Sequence, residues 1–428
     1  MKDIEIKLWG SVVGKAHLDD NNKCHFQYTE DFIKKGIEIS PIVMPLSSFP
    51  YSFNLSDTFK GLPGLLSDSL PDKFGNAVIN AWLKSEGRNP QSFSALEQLC
   101  YIGKRGMGAL EYYPIIKDVN NKSEIIEIEH LVDLCNKILS NRENILIDEK
   151  QDYINQLINI GTSAGGARAK AIVAYNNRTG RFKSGQIDAG NGYEYYLIKF
   201  GNVKNNKDKE EADSDYHTRI EYAYYLLAQL AGVKMSESSL IHNNGYHFMT
   251  KRFDRFIDEN GKMQKLHMQS LGGLAHMDFN NPGANSYDEV AEIMQRLHLT
   301  RAEREQFYRR MIFNVIFKNQ DDHVKNIAFL MDKDGKWSLA PAYDVTFAYN
   351  LNGIWTSSHQ MRINGKRTNI KLNDIYECGQ RMELPLIRIQ NVVREVEAVK
   401  DNWIECAKKA FIPEKKAREI ENKFEKLD

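Results

Sequence analysis

Two acids, a histidine and a lysine lie within one short polar segment that runs from Asn319 to Asn326. Asp321 and Asn326 are five residues apart. Phosphoryl transfer needs a carboxylate beside the attacking hydroxyl and an oxygen ligand for Mg²⁺, and protein kinases place an Asp and an Asn at this spacing on their catalytic loop. His323 and Lys325 can stabilise phosphate charge. A solvated turn that carries two acids and two bases is the alternative interpretation.

A further carboxylate, Asp344, lies 18 residues beyond Asn326 and just past a predicted β-hairpin. This position suits the second Mg²⁺ ligand that kinases carry in their Asp-Phe-Gly motif. Taken alone, Asp344 is better explained as the cap of a turn or helix. The combination of loop, hairpin and Asp is more specific than either part. Asp322, which is adjacent to Asp321, is expected to matter less for catalysis.

Lys199 ends an apolar segment that alternates like a strand, and a lysine in that setting can reach nucleotide phosphates. A strand-end lysine whose charged tip stays in solvent is the simpler alternative. Glu221, in the first half of the next predicted helix, could orient Lys199. The small-residue run Gly161–Lys170 could bring backbone N–H groups close to phosphate oxygens, although it matches no Walker A loop and a flexible linker would also explain it.

The elements that must position these residues change along the chain. Alternation predicts a strand at 4–10, and apolar segments predict strands at 171–175, 193–200 and 246–253. From about residue 255 the pattern becomes mostly helical, with short strands predicted at 327–331 and 337–339. Phe307, Met311, Ile312, Val315 and Ile316 recur at helical spacing within 301–317. We therefore predict an α+β, two-lobed, protein-kinase-like fold with a strand-rich N-terminal part and a mostly helical C-terminal lobe. Residues 384–427 are predicted to form two helices separated near Pro413.

The composition limits the function classes. The chain has 428 residues, with 57 Lys plus Arg and 57 Asp plus Glu. Zero net charge argues against sequence-independent nucleic-acid binding by the whole surface. The five cysteines are scattered without a Cys-x-x-Cys pair, so zinc and redox sites are disfavoured and a reducing compartment is indicated. With no apparent secretory signal and no apolar run long enough to span a membrane, we expect a cytoplasmic protein without a membrane partner.

Several motifs in one order resemble the HipA family, the serine/threonine kinase toxins of bacterial toxin–antitoxin modules. The resemblance extends from near residue 4 to beyond residue 350. It implies a HipA N-terminal subdomain at 1–118, a small-lobe region with the nucleotide loop at 119–255 and a helical catalytic lobe at 256–428. The motifs that carry it are Leu8-Trp9-Gly10, Leu70-Pro71-Asp72, Gly108-Ala109-Leu110, Ser163-Ala164-Gly165-Gly166-Ala167, Lys251-Arg252-Phe253-Asp254-Arg255, Asp321-Asp322-His323-Val324-Lys325-Asn326 and Pro341-Ala342-Tyr343-Asp344.

The resemblance also implies roles. Asp321 would be the catalytic Asp, Asn326 and Asp344 the Mg²⁺ ligands, and Ser163 the site of autophosphorylation, with Thr162 as a rival acceptor. ATP would be the phosphate donor. Family partners are a HipB-like helix-turn-helix antitoxin, operator DNA reached mainly through that antitoxin, and aminoacyl-tRNA synthetase targets. The nucleotide-binding residues implied are Gly165, Gly166, Ala167, Arg168, Ala169, Lys170, Lys199, Lys251, Arg252, Phe253, His323, Val324, Lys325, Asn326, Tyr343 and Asp344.

The sequence departs from ordinary kinases and, in one stretch, from the better-known HipA proteins. Asn319-Gln320 replaces the His-Arg before the catalytic Asp, and Asp344-Val345-Thr346 replaces Asp-Phe-Gly; both replacements are normal for the HipA family. Residues 266–276 lack the acidic-Gln pattern of those proteins, which leaves the substrate open. Two alternatives remain. One is a small-molecule phosphotransferase, which would usually carry His-x-Asp; the other is a non-catalytic co-repressor, which would be expected to have lost Lys199, Asp321, Asn326 or Asp344.

Overall fold

The chain combines helices with antiparallel sheets, which confirms the α+β prediction. The structure, a computed structural model, describes residues 1–116, 125–140, 168–203 and 216–427. The strands are β1 Asp3–Leu8, β2 Ser11–Leu18, β3 Cys24–Tyr28, β4 Leu110–Tyr113, β5 Lys170–Asn176, β6 Arg181–Ser184, β7 Glu194–Lys199, β8 Ser238–His242, β9 Tyr246–Lys251, β10 Arg255–Ile257, β11 Met263–Lys265, β12 His267–Ser270, β13 Ala328–Met331 and β14 Trp337–Leu339.

The helices concentrate in the second half of the chain. The described residues also include four short 3-10 turns, one of which, Val324–Asn326, lies within the predicted catalytic segment. The α-helices are α1 Glu30–Ile33, α2 Gly64–Ser67, α3 Lys73–Ser85, α4 Ala95–Ile102, α5 Ile128–Ser140, α6 His217–Leu230, α7 Leu271–Ala275, α8 Tyr287–Arg296, α9 Arg301–Ile316, α10 Leu372–Arg381, α11 Leu386–Ala398, α12 Trp403–Lys409 and α13 Glu414–Glu421.

The N-terminal sheet has the order β3-β2-β1-β4. The alternation of the first strand buries Ile4, Ile6 and Leu8 on one face, as predicted, and the strand ends at the left-handed turn Trp9-Gly10. Helix α4 begins at the predicted capping box, in which the Ser94 hydroxyl accepts from the Glu97 N–H and the Glu97 carboxylate accepts from the Ser94 N–H.

A five-stranded antiparallel sheet, β6-β5-β7-β9-β8, carries the first set of predicted site residues. Lys199 is the last residue of β7, where it is in register with Lys170 on one neighbouring strand and Phe248 on the other. Helix α6 packs against β8 and β9 and brings Glu221 towards the end of β7. The sheet and this helix therefore fix where Lys199 points.

The region after residue 255 contains more strands than the predicted mostly helical lobe. A hairpin, β10-β11, and a three-stranded sheet, β12-β13-β14, precede or flank its helices. Helix α9 is confirmed, and its predicted apolar residues are all buried. It leads into the segment 319–326, and β13 follows directly. The polar segment is thus held between a core helix and a core strand.

The C-terminal residues form three α-helices rather than the predicted two. Helix α11 ends at Ala398, a short 3-10 turn covers Val399–Asn402, and α12 and α13 follow on either side of Pro413. The extra break was missed because Val396, Val399 and Trp403 keep an apolar spacing through the turn and are all buried. A single hydrophobic core joins residues from Ile4 to Ile420, so the N-terminal sheet and the C-terminal helices share one interior.

Candidate active site

Lys199, Glu221 and Asp344 form a buried cluster of charges, here called the cleft cluster. The Lys199 ammonium group lies 2.6 Å from the Glu221 Oε1 and also donates to the Asp344 Oδ1. Lys199 and Glu221 are almost fully buried, whereas 29% of the Asp344 side chain is exposed. The Glu221 Oε2 has no hydrogen-bond partner among the described residues. The cluster joins the five-stranded sheet to the segment after β14 and retains binding capacity.

The backbone and charge of Asp344 are both unusual. Its φ of 52° lies in the left-handed region, which non-glycine residues seldom adopt away from constrained sites. Burial acts to raise the pKa of the Asp344 carboxyl, but attraction from Lys199 and then Lys170 outweighs it and holds the pKa below its usual range. The group is therefore an anion at neutral pH, as a ligand for a hard cation must be.

Asp321 and Asn326 meet across the polar segment. The Asn326 Nδ2 donates to the Asp321 backbone carbonyl, 2.9 Å away, which orients the amide and leaves its oxygen available. The Asp321 side chain is 47% exposed, and its Oδ1 lies 3.6 Å from the His323 Nε2. A carboxylate with this exposure can accept a proton from an incoming hydroxyl. An amide oxygen and a carboxylate fit the hard-oxygen donor set of Mg²⁺.

Asp322 has the opposite environment. Its side chain is buried and accepts hydrogen bonds from the Tyr287 hydroxyl at 2.9 Å, the His359 Nδ1 at 2.8 Å and the Gln360 N–H at 2.7 Å. It ties the polar segment to helix α8 and to residues 359–360. The prediction that Asp322 matters less than Asp321 concerns the chemistry alone, because the hydrogen bonds of this carboxylate organise the loop that carries Asp321.

His323, Lys325 and Phe279 form one wall beside Asp321. The His323 ring lies 5.6 Å from the Phe279 ring, and the Lys325 ammonium group lies 5.3 Å from the same ring. Val324 is fully buried, so its side chain contributes to the core and only its backbone can face a ligand. His323 and Lys325, the two residues predicted to stabilise phosphate charge, therefore lie on the same wall.

Phe253 and Tyr343 form the apolar part of the site. Their ring centroids are 5.6 Å apart, and both rings pack on Ala328, Leu330 and Ala340 of the three-stranded sheet. The Tyr343 hydroxyl donates to the Lys325 carbonyl at 2.7 Å, which links this aromatic pair to the polar segment. A flat aromatic surface next to cationic groups suits a nucleoside with its phosphates.

The Arg252 side chain points away from the cleft. It forms a second buried cluster, here called the junction cluster, with Asp254 and Arg255. Both Asp254 oxygens accept from Arg252, at 2.9 and 2.7 Å, and one also accepts from Arg255 at 2.8 Å and from the Gly108 N–H at 2.7 Å. Arg255 also donates to the Gly106 and Gly108 carbonyls. The implied contact of Arg252 with a nucleotide could therefore involve only its backbone.

Lys170 and Lys251 are each held by a carboxylate. The Lys170 ammonium group lies 3.0 Å from the Asp72 Oδ2, and both side chains are buried. Asp72 is also the N-cap of α3, where it accepts from the Gly75 N–H. Lys251 pairs with Glu194 at the surface of the sheet. Asp72 was noted in the sequence only as part of a motif, since nothing in its local pattern shows that it contacts a strand about a hundred residues later.

The remaining predicted residues divide between the described and the undescribed parts of the chain. Arg168 and Ala169 lead into β5, and Ala169 is buried. Five of the predicted residues lie outside the described part of the chain: Thr162, Ser163, Gly165, Gly166 and Ala167. In the described part of the chain, no three His, Cys, Asp or Glu side chains gather at metal-binding distance, and no helix is long and apolar enough to cross a membrane.

Comparison with known proteins identifies the family of the chain and a similar fold. The family description "HipA-like C-terminal domain" matches residues 162–403, and "HipA N-terminal domain" matches residues 4–113. A HipA toxin structure, from a Shewanella oneidensis complex of HipA, HipB and operator DNA, superposes with a TM-score of 0.67 at 16% identity, over 98% of this chain and 95% of that one.

Two curated relatives are named as putative kinases. "Putative kinase" of Haemophilus influenzae is 28% identical over 139 residues, which is 29% of this chain and 39% of the relative. "Putative kinase Y4mE" of Sinorhizobium fredii is 27% identical over 203 residues, 42% of this chain and 48% of the relative. The chain thus spans less than half the length of either relative. Because the match to the HipA-like C-terminal domain alone covers more than half of the chain, and the HipA N-terminal domain matches residues 4–113, the chain belongs to the HipA family.

Proposed function

We propose that this protein is an ATP- and Mg²⁺-dependent serine/threonine protein kinase that acts as the toxin of a HipA/HipB-type module. The observation that carries the proposal is the cleft cluster beside the Asp321–Asn326 pair. A cation, two candidate Mg²⁺ ligands and a half-exposed carboxylate are what phosphoryl transfer requires from a protein. A co-repressor that only binds would need none of these groups.

In the proposed reaction Asp321 orients the acceptor hydroxyl and takes its proton. The acceptor oxygen forms a bond to the γ-phosphorus of ATP while the bond from that phosphorus to the β–γ bridging oxygen breaks, and ADP leaves. Lys199, fixed by Glu221, binds phosphate oxygens. Mg²⁺, held by the oxygens of Asn326 and Asp344, would neutralise charge on the β- and γ-phosphates. Phe253 and Tyr343 would contact the base.

The decisive test is Asp321→Asn, incubated with labelled ATP and Mg²⁺. Because the side chain is half exposed and its isostere fits, the free energy of unfolding should stay within about 0.5 kcal/mol of wild type. Phosphate transfer should fall by about 10²- to 10⁴-fold, the usual contribution of a general base. Phosphate transfer at the wild-type rate in this variant would contradict the assignment of Asp321 as the catalytic residue. Transfer to a free small molecule but to no protein would favour the small-molecule phosphotransferase instead.

The regulatory part of the proposal is autophosphorylation on Ser163. Phosphate adds about −1.5 to −2 charge at pH 7 and would repel bound ATP phosphates, while Arg168 could hold the modified loop elsewhere. Mass spectrometry after incubation with ATP should find the phosphate on Ser163 and none on Asp321→Asn. Modification of Thr162 alone, or unchanged ATP affinity after modification, would contradict this switch.

The proposed partners are a helix-turn-helix antitoxin and, through it, operator DNA; an aminoacyl-tRNA synthetase is the proposed target class. The support is family membership together with the zero net charge, which gives the isolated chain no broad electrostatic attraction to DNA. Salt-dependent DNA binding should therefore be weak for the chain alone and strong for the complex. Tight, salt-sensitive binding by the chain alone would overturn this division.

A further inference from the structure

A surface loop beside the catalytic segment exposes three large apolar side chains. Leu351 is 71% exposed, Ile354 77% and Trp355 40%. They lie within five residues, in the segment that follows Asp344. Single exposed apolar residues are ordinary, but several together usually mark a contact surface.

Both ends of this loop are fastened to the catalytic segment. At the first end, the Gln320 N–H donates to the Ala348 carbonyl and the Ala348 N–H donates to the Lys318 carbonyl, each at 3.0 Å. At the other end, His359 and the Gln360 N–H bind the Asp322 carboxylate. Residues 349–358 are thus a loop whose two anchors flank Asp321 directly. Whatever binds the loop is held next to the group that accepts the hydroxyl proton.

Within the loop, backbone bonds restrict its shape. The Asn350 N–H donates to the Thr356 carbonyl at 3.2 Å, the Gly353 N–H donates to the Asn350 carbonyl at 3.0 Å, and the Gln360 side chain donates to the Trp355 carbonyl. The exposed side chains are therefore presented on a closed turn. A preorganised surface loses less conformational entropy when it binds a partner.

A groove of about 490 Å³ continues from the loop. Phe347, Tyr349 and Leu351 line one side, and helix α13 with Lys416, Ile420 and the following Lys423 lines the other. The lining therefore combines apolar side chains with charges of both signs, since Glu419 also lines the groove and pairs with Lys416 at 3.2 Å. A groove of this kind fits an extended peptide with at least one apolar side chain.

The charge around the loop favours an acidic occupant. The 29 residues from 345 to 373 contain no Asp or Glu, yet they contain Arg362, Lys366, Arg367 and Lys371. Arg362 and Lys366 face carboxylates of other elements, Glu289 and Asp374, which reduces but does not reverse the local positive charge. Complementary charge steers association and selects among partners.

We propose that the loop 349–358 and its groove bind an extended segment of the protein substrate that carries an apolar side chain and acidic residues near the acceptor Ser or Thr. This inference rests on the proposed kinase activity and names the chemistry of its substrate. A second copy of this chain is the competing occupant, and the experiment separates the two.

The probe is a positional-scanning peptide library with a fixed Ser or Thr acceptor, phosphorylated by the full-length protein with labelled ATP and Mg²⁺. Wild type should select apolar residues at one position and acidic over basic residues near it. The Leu351→Ser/Trp355→Ser variant should lose roughly 10- to 100-fold of its rate on apolar peptides, as expected for removing one or two buried side chains from an interface. Its Mg–ATP affinity by calorimetry should be unchanged.

The matched control is Phe49→Ser, which removes a 78% exposed aromatic side chain from the N-terminal part and should leave selection intact. Equal selection by the loop variant and wild type, or a preference for basic residues, would overturn the proposal. The proposal would also fail if wild type formed a dimer, the loop variant were monomeric, and the variant kept the peptide selection of wild type. It would fail as well if wild type consumed ATP but modified no peptide. A wild type that neither binds nor consumes ATP would overturn the kinase assignment itself.

Discussion

The cleft cluster and the junction cluster are made of the same groups, lysine or arginine paired with buried carboxylates, but they differ in completeness. In the junction cluster both oxygens of Asp254 are saturated by two guanidinium groups and the Gly108 N–H. In the cleft cluster one oxygen of Glu221 has no hydrogen-bond partner among the described residues, and Asp344 is partly exposed. A closed set of contacts supports structure, whereas one with spare capacity can bind a ligand.

The location of each cluster agrees with how fully its carboxylates are hydrogen-bonded. The junction cluster joins the strand end at Asp254 to the turn at Gly106–Gly108 of the N-terminal sheet, far from any exposed surface. The cleft cluster joins Lys199 to Asp344 across the opening between the five-stranded sheet and the catalytic segment. We therefore expect substitutions in the first to change stability and substitutions in the second to change activity.

The largest effect should come from Asp254→Asn. The change leaves Arg252 and Arg255 buried without a counter-charge, and breaking a buried ion pair in this way costs about 3–5 kcal/mol. The free energy of unfolding, measured in urea, should fall by that amount. Asp31→Asn is the control, since 94% of the Asp31 side chain is exposed. Near-wild-type stability in Asp254→Asn would contradict the prediction that the junction cluster stabilises the fold.

Lys199→Met should lower phosphate transfer by about 10²- to 10³-fold, the usual cost of losing one fixed charge-stabilising group. The single change should also destabilise the fold, because Glu221 is left buried and unpaired. The double variant Lys199→Met/Glu221→Gln removes that unpaired charge and should regain most of the stability while remaining inactive. If stability and activity return together, the cleft cluster is structural and the comparison fails.

Asp322→Asn should cost about 1–3 kcal/mol of stability, because one carboxylate oxygen becomes an NH2 group that cannot accept, and the remaining oxygen cannot serve all three donors. Thermal or urea unfolding would show this loss in Asp322→Asn, whereas the stability of Asp321→Asn should be unchanged. The pair of variants separates two adjacent residues that look alike in sequence. Equal stability in both would mean that the buried hydrogen bonds of Asp322 contribute little.

The smallest effect is a dependence on pH. Burial acts to raise the pKa of Asp254, but attraction from Arg252 and then Arg255 holds it well below the usual range. A carboxyl whose folded-state pKa is depressed stabilises the protein above the unfolded-state value of about 4 and loses that contribution as the pH falls further. The stability difference between wild type and Asp254→Asn should be constant above about pH 5 and shrink below about pH 4. A difference that grows on acidification would contradict the ion-pair origin.

Much of the fold could be predicted because its elements are determined by local patterns. Alternation predicted the strand at 4–10, apolar segments predicted those at 171–175 and 246–253, and the capping box at Ser94 predicted the start of α4. The break at 399–402 was missed because its apolar spacing continues through it. The short strands after residue 255 were underestimated because β10 and β11 are half-exposed and show little alternation.

The sequence by itself determined which groups are available for chemistry: Asp321 and Asn326 at a fixed spacing, Asp344 after a hairpin, and Lys199 at a strand end. Spacing along the chain is a local property, so these could be recognised without a structure. Only the tertiary structure decided which charged side chains face the cleft. Arg252 turns to Asp254, Lys170 to Asp72, and Asp322 into the interior, because each buried charge must find a partner. Asp72 and His359, the partners of Lys170 and Asp322, come from distant parts of the chain, and packing alone brings them together.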